Sequence, residues 1–500
     1  MMNLKKINLI KIKLYNNDFF YEIENICRIF FPHSKILFVE IDKSINKNED
    51  FICINLDKTK NSNIMLSVHT NIDGIKNNKI LVIRRKHISD KDIELKICVM
   101  LFRILSKITK IESKWGVLTG VRPIKLFHSL STRKGIEYSM DYFKNRLLVS
   151  DEKIKLVRDI EYNQYKILKL SDKKSFSLYI SIPFCPSRCA YCSFVSQSVE
   201  KSMKLIPEYL ELLKKELIYT AHIVKELDLR LEAIYIGGGT PTVLSVCQLE
   251  FLMNSVIENF DMKFCKEFTV EAGRPDTINE EKLKVLKNFK DIRISINPQT
   301  FNDNVLKIIG RSHTSQDTIK AFQMAKELGI SNINMDLIAG LPEDTFMSFH
   351  NTIEKALDMK PESITLHTLS VKRASNILET DGDIQKNNDS LRKMLNFAYK
   401  AFFECDYNPY YLYRQSKILG NMENTGWAKK GFEGIYNVYI MEEIHSIIAC
   451  GAGAVTKLKN PINGKIERIF NFKFSYEYVN RFDEIIKRKD KVKNFYEEFQ

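Results

Sequence analysis

A chain of 500 residues, 44% hydrophobic and 28% charged, exceeds what one core usually holds and predicts two or three globular domains. No apolar run approaches the roughly 18 residues a membrane span needs. The opening MMNLKKINLIKIKLYNNDFF alternates Lys with apolar residues and lacks the uninterrupted core and cleavage site of a signal peptide, so the chain reads as cytoplasmic with reduced thiols. The net charge of +14 is lopsided: residues 1–170 carry 32 Lys and Arg against 19 Asp and Glu, and the remainder 44 against 43. The basic N-terminal third is either a solvated face or a surface for an acidic partner.

Residues 1–165 read as a small α/β domain. KINLIKIKLY and KILVIRRK have the composition of strands; YEIENICRIF and ELKICVMLFRILSKI have the spacing of helices. KWGVLTGVRPIKL follows, with Trp115 in what reads as a packed turn. From residue 170 to 375 strand and helix alternate. SFSLYISIP is a continuous apolar strand, and MKLIPEYLELLKKELIYTAHIVKEL is helical. LEAIYIGGG, EFTVEAG, DIRISINP, NINMDLIAG and SITLHTLS are five further strands separated by helical segments. Such alternation argues for parallel strands buried on both faces. Six units are too few for a complete barrel, so an open (β/α)6 partial barrel is expected, with functional residues just beyond the C-terminal ends of strands. Those positions hold three cysteines, GGGTPT, Glu271 and Arg274, Gln299, and Asp336 with GLP; His367 lies in the sixth strand. Residues 376–500 read as a mostly helical C-terminal domain with a few strands, including the aromatic run YNPYYLYRQ and the Gly-rich ACGAGAV.

Ten cysteines divide unevenly. Cys27, Cys53, Cys98, Cys247, Cys265, Cys405 and Cys450 are scattered, most in apolar surroundings typical of core thiols. Cys185, Cys189 and Cys192 form C-x3-C-x2-C. Thiolates so spaced in a reduced compartment hold metal, yet structural zinc and cubane clusters each want four ligands. Three leave one metal position open, and an open position means chemistry. Tyr191 and Phe194 supply apolar cover there, and Gly237, Gly238 and Gly239 allow close backbone approach.

C-x3-C-x2-C after the first strand of a partial barrel resembles the radical S-adenosylmethionine (SAM) superfamily. The resemblance implies one [4Fe–4S] cluster on Cys185, Cys189 and Cys192, with the amino and carboxylate groups of SAM on the fourth iron. Reductive cleavage of SAM then gives a 5′-deoxyadenosyl radical that abstracts hydrogen. YISIPFC, GGGTPT, VEAGRPD, ISINPQTF, IIGRSHT and MDLIAGLP further resemble the oxygen-independent coproporphyrinogen III oxidase (dehydrogenase) group. KWGVLTGVRPIKL, LGNMENTGWAKKGFEGIYNVYIMEE and GAGAV resemble its longer HemZ-like clade. By motif position, Tyr179, Gly238 and Glu271 match contacts to the cluster-bound SAM. Tyr191, Gly239, Thr240, Gln299, Arg311 and Asp336 match contacts to a second SAM. Plainer readings stand beside these: Glu271 and Asp336 as barrel ion pairs, Gln299 and Arg311 as loop caps, His367 as a satisfied barrel histidine.

The implied reaction is oxidative decarboxylation of two propionates of coproporphyrinogen III to vinyls, with a reductant such as flavodoxin or ferredoxin and a terminal electron acceptor. Arg274, Arg293, Arg311 and Arg373 are candidate partners for the substrate carboxylates. One position departs from the pattern. The established oxidases have a further cysteine two residues after the third ligand; this chain has Phe194, as do the heme-carrying chaperones of the same branch. Two alternatives therefore stay open: a heme-delivery protein, with His367 or His313 as iron ligand, and a radical enzyme for another tetrapyrrole or for RNA on the basic N-terminal domain.

Overall fold

The computed structural model describes residues 7–46, 48–58, 63–84, 88–192, 194, 197–370, 384–415 and 418–499. The chain divides into two units, Met1–Arg158 with Gly420–Met422, and Asp159–Leu419 with Glu423–Gln500. The first is an α/β unit. Strands β1 (Leu9–Tyr15), β2 (Lys35–Phe38), β3 (Phe51–Asp57), β4 (Asn63–Ile72) and β5 (Ile75–Arg84) form one sheet in the order β2-β1-β3-β4-β5. Only the pairs made by β1 are parallel. Strand β1 buries Ile10 and Ile12, and the helices Phe20–Phe30 and Asp90–Thr109 bury Ile23, Ile26 and Phe30, and Ile97, Leu101 and Leu105 at helical spacing. Trp115 is fully buried in a turn, as expected.

The second unit is built on an 11-stranded sheet. Strand β6 (Ser175–Ile182) is followed by two short strands, β7 (Phe184–Cys185) and β8 (Gln197–Ser198), which pair with each other in parallel. Then come β9 (Arg230–Gly238), β10 (Glu267–Glu271), β11 (Ile292–Ser295), β12 (Ile333–Ala339) and β13 (Ser363–Thr368). Strands β6 and β9 to β13 lie side by side, all parallel, giving the expected six-stranded partial barrel. Their residues are almost wholly buried because helices cover the outer face. Those helices start on side-chain caps: Ser245 and Gln248 form a reciprocal capping box, and Asn279, Thr314 and Thr345 accept from the first turn.

The C-terminal strands complete the same sheet. Strands β14 (Asn408–Tyr413) and β15 (Asn424–Ala428) extend it antiparallel beyond β13. Strand β16 (Ser446–Cys450) pairs in parallel with β6 at the other side, and β17 (Val455–Lys459) and β18 (Ile466–Phe470) follow antiparallel. The helices Ile384–Glu404, Ile435–Glu442, Ser475–Asn480 and Phe482–Glu497 make up the rest of this region.

A buried charge network joins β6, β16 and the C-terminal helices. Glu216, fully buried, accepts from Gly451 N at 2.8 Å, Asn471 Nδ2 at 2.8 Å and Tyr478 Oη at 2.6 Å, and lies 3.1 Å from Lys489 Nζ. Tyr209 donates to Ser181 O at 2.7 Å and accepts from Ala452 N at 2.9 Å, while Ser181 Oγ donates to Ala452 O at 2.7 Å. The Gly-rich segment after β16 is thereby sewn to the end of β6, one turn of chain before the cysteines.

Of the scattered cysteines, Cys27, Cys98 and Cys450 are buried and Cys53 and Cys265 partly so, but Cys247 and Cys405 are exposed. Cys247 lies in the first turn of the helix Val246–Ile257 and Cys405 in the turn after the helix Ile384–Glu404, so the core-thiol reading does not extend to them.

Replacing Lys489 with Met leaves the Glu216 carboxylate buried without its cation. We expect Lys489→Met to lose about 3–5 kcal/mol of stability, read as a lower denaturant midpoint. Pairing it with Glu216→Gln should recover part of that loss.

Candidate active site

The register of β6 against β9 sets the site. Ser181 stands opposite Gly237 and Ile182 opposite Gly238, so the cysteine loop and the glycine turn leave the sheet side by side. Gly239 N donates to Ile182 O at 2.8 Å and Thr240 N to Phe184 O at 2.7 Å. A Cβ on Gly239 would stand 2.5 Å from Phe184 O, so only glycine lets β7 cross here. Gly238 adopts φ +103°, and its missing Cβ would meet Ser181 Oγ at 2.9 Å. The glycines thus make room first for the protein's own cysteine strand.

The cysteine loop is braced from several sides. Ala190 N donates to Ile309 O at 2.9 Å, Ser187 Oγ to Gly310 O at 3.0 Å and Cys192 N to Cys189 O at 3.1 Å. Thr240 Oγ1 lies 3.5 Å from Cys185 Sγ. None of the three cysteines is in a disulfide, and all line one cavity of about 250 Å³. Tyr191, Gly238, Gly239, Thr240, Glu271, Gln299, Arg311 and Asp336 line the same cavity. Among the described residues, no three His, Cys, Asp or Glu side chains converge on the position of a single metal ion.

Tyr179 is the exception among the expected site residues: it does not line the cavity. Its register partner on β9 is Tyr235, and the two rings stack at 6.2 Å with Tyr436 beside both. Tyr235 Oη donates to Glu271 Oε1 at 2.5 Å. A tyrosine layer therefore floors the cavity and carries the Glu271 carboxyl on top.

Two acids of the site are driven in opposite directions. Burial pushes Glu271 up to about 7, against the Tyr235 hydrogen bond and with the help of the nearby Asp336 charge. Burial also pushes on Asp336, but donors outweigh it and hold the carboxyl below its ordinary range. These donors include His367, whose Nε2 is 3.7 Å from Asp336 Oδ2, and Asn334, whose Nδ2 donates to Oδ1 at 2.8 Å. One acid is half-protonated near neutrality while its neighbour is ionised, a split that assigns them different work.

Arg311 is buried and donates through Nη1 to Gly273 O and Asn297 O and through Nη2 to Tyr191 Oη, each at 2.9 Å. Its Nε and the Gln299 Oε1 are buried without a hydrogen-bond partner among the described residues. Gln299 also holds a left-handed backbone, φ +66°. Unsatisfied polar atoms and backbone strain at one cavity mark a place for a ligand.

The other candidates separate. His367 lines the cavity, with Tyr413 Oη 3.4 Å from its Nδ1. His313 does not; it is buried with its Nδ1 3.7 Å from Asp276 Oδ1. Arg293 is buried, does not line the cavity, and donates to Phe432 O, Asn334 Oδ1 and Ser363 Oγ, so its guanidinium is engaged by the protein rather than turned to a cavity ligand. Arg274 lines the cavity but is paired with Asp276. Arg373 lies outside the described residues. Sequence reasoning missed Asn297, whose Oδ1 accepts from Ser295 Oγ at 2.6 Å and Asp336 N at 3.2 Å, and the cavity residues Tyr413, Gln415 and Asn424. Tyr413 and Gln415 belong to the aromatic run YNPYYLYRQ, which stood out in the sequence without a role.

Comparison with known proteins agrees with this architecture. The profile described as Radical SAM superfamily matches residues 179–356. The chain is 39% identical over 406 residues to the oxygen-independent coproporphyrinogen-III oxidase-like protein HemZ of Bacillus subtilis, covering 80% of this chain and 81% of that protein. It is 31% identical over 329 residues to the heme chaperone HemW of Lactococcus lactis, covering 64% and 80% respectively. Among solved structures, coproporphyrinogen III oxidase (HemN) from Escherichia coli aligns with TM-score 0.49 and 21% identity over 65% of this chain and 73% of that one. The chain belongs to the radical SAM superfamily, in the family that holds HemZ and HemW. Among the described residues no helix is long and apolar enough to cross a membrane.

The Glu271 shift carries a pH signature. A carboxyl whose folded value is raised from 4.5 to about 7 stabilises the fold fully below the lower value and loses that contribution as pH rises through the upper one. Glu271→Gln should therefore gain stability relative to the natural chain between pH 5 and 8, as read from denaturant midpoints across that range. A difference that stays flat with pH would refute the buried, raised carboxyl.

Proposed function

We propose that Cys185, Cys189 and Cys192 hold a [4Fe–4S] cluster that presents SAM to the adjoining cavity, and that the chain uses them to decarboxylate propionate side chains of a tetrapyrrole of the coproporphyrinogen III type. The observation that carries this reading is one cavity shared by the three thiols of an irregular loop, two polar atoms unsatisfied among the described residues, and a pair of acids shifted in opposite directions. When bound, the cluster and SAM supply a one-electron reductive cleavage that yields a hydrogen-abstracting radical.

The chain's own residues bind, orient and exclude water. Gln299 Oε1 and Arg311 Nε offer an acceptor and a donor without partners among the described residues. Ionised Asp336 is an acceptor for ligand hydroxyls, while Glu271, fixed by Tyr235, can donate or accept as its proton comes and goes. Tyr191, locked by Arg311, and Phe194, 63% exposed at the cavity edge, screen the thiols from water. In net terms each propionate loses a hydrogen atom from its β-carbon, carbon dioxide and one electron, leaving a vinyl group. A reductant of the flavodoxin or ferredoxin kind and a separate electron acceptor complete the balance.

A second reading, heme delivery, is favoured by His367. It faces the same cavity, with 27% of its side chain exposed. The similarity to heme chaperones and Phe194 in place of a cysteine point the same way.

Anaerobic reconstitution of the full chain tests both. We expect about four irons per chain, lost in Cys189→Ala, and conversion of coproporphyrinogen III to protoporphyrinogen IX with SAM and reductant. SAM cleavage without product, together with stoichiometric heme binding that His367→Ala abolishes, would replace the first reading with the second.

A further inference from the structure

Arg274 was read from the sequence as a partner for substrate carboxylates, but its surroundings give it other work. It is 3% exposed. Its Nε and Nη2 donate to the two carboxylate oxygens of Asp276, each at 3.1 Å, which fixes the plane of the guanidinium. The remaining edge turns to the cysteine loop. Nη1 donates to Ser187 O at 3.3 Å, Nη1 and Nη2 both reach Ser187 Oγ at 3.2 Å, and Nη1 lies 3.8 Å from Cys189 Sγ. Ser187 in turn donates to Gly310 O at 3.0 Å. One buried cation thus grips the segment between the first two cysteines and faces the sulfur of the second.

We propose that Arg274 is a positioning residue for the cluster: it sets the Ser187–Cys189 turn and, by placing positive charge at the Cys189 sulfur, makes the bound cluster easier to reduce. Hydrogen bonds to the sulfurs and local net charge are main determinants of the potential of an iron–sulfur cluster. A buried guanidinium is poorly screened, so its field favours the state holding one more electron. A bidentate carboxylate on the opposite edge keeps it from rotating away and tempers that field. The same charge in water would do little, since exposed pairs are worth a fraction of a kilocalorie. This inference rests on the reading that the three cysteines hold a cluster.

The test uses the full chain, reconstituted anaerobically, with iron content and midpoint potential measured by a redox titration followed by electron paramagnetic resonance, without SAM. Arg274→Gln should keep its iron and shift to a more negative midpoint, lowering the reduced-to-oxidised ratio at fixed potential about tenfold. Asp276→Asn, which removes the tempering carboxylate, should shift the midpoint the opposite way. A merely structural pair would not give shifts of opposite sign. Iron held by either variant at the natural midpoint overturns the proposal. Should Arg274→Gln hold no iron, Asp276→Asn decides alone. Loss of iron by both, with unchanged circular dichroism, overturns the tuning role in favour of a structural one. If the natural chain itself takes up no iron, the cluster reading fails instead.

Discussion

A carboxylate sealed from water must be matched by donors or it is protonated or unfolds its surroundings. Glu216 meets that demand with groups from four places in the last fifty residues: a backbone amide at Gly451, Asn471, Tyr478 and Lys489. The C-terminal segment is therefore drawn to one point of the barrel, the helix that follows the cysteine loop. Because Tyr209 on that helix also holds Ser181 and Ala452, the end of β6 is fixed by the same network. The loop carrying three thiols has little regular structure of its own. Its geometry is inherited from this anchor on one side and from Gly310 and Arg274 on the other.

The same economy governs the acids of the cavity. Glu271 ends β10 and Asp336 sits in the middle of β12, and burial alone would raise each. Asp336 escapes because Asn334, one pleat earlier on its own strand, and His367, on the neighbouring strand, both face it. Glu271 has Tyr235 as its principal partner, and a phenol with a raised value of its own is a weak counterweight to burial. Two strands of one sheet, β10 and β12 with β11 between them, thus carry carboxyls shifted in opposite directions by their different partners.

The sequence made the barrel legible because its six strands are apolar on both faces and regularly separated by helices, a pattern that depends only on local order. The strands that close the sheet were harder. SIIAC is too short to stand out, and its place beside β6 depends on pairing across more than 250 residues of chain. In the first unit β2, β3 and β4 escaped notice, although in β3 the buried Ile52, Ile54 and Leu56 alternate with less buried positions. At the site, motif positions brought eleven of twelve expected residues to one cavity; the other, Tyr179, is turned by the pleat into the tyrosine layer beneath. Charge composition misled for the arginines. Arg274 and Arg293 looked available for carboxylates because their partners, a loop aspartate two residues on and groups on strands 41 and 70 residues away, are invisible to a linear reading.

The cavity has two origins, and this bears on why similar motifs serve different ends. The wall bearing the cysteines, glycines, Glu271, Gln299 and Asp336 lies within residues 179–356, the part that matches the whole superfamily. The facing groups, His367, Tyr413, Gln415 and Asn424, come after it. They are held as a set: Asn424 accepts from Thr368 N at 2.8 Å, and Tyr413 packs 6.3 Å from Tyr411, whose ring fills the space above Gly426. A Cβ at Gly426 would stand 1.8 Å from that ring, so the wall tolerates no bulk behind it. On this side His367 comes from β13, the last parallel strand of the barrel, while Tyr413 and Asn424 come from the antiparallel strands β14 and β15 added beyond it. The chemistry of the first wall can then stay constant while the second changes what is admitted.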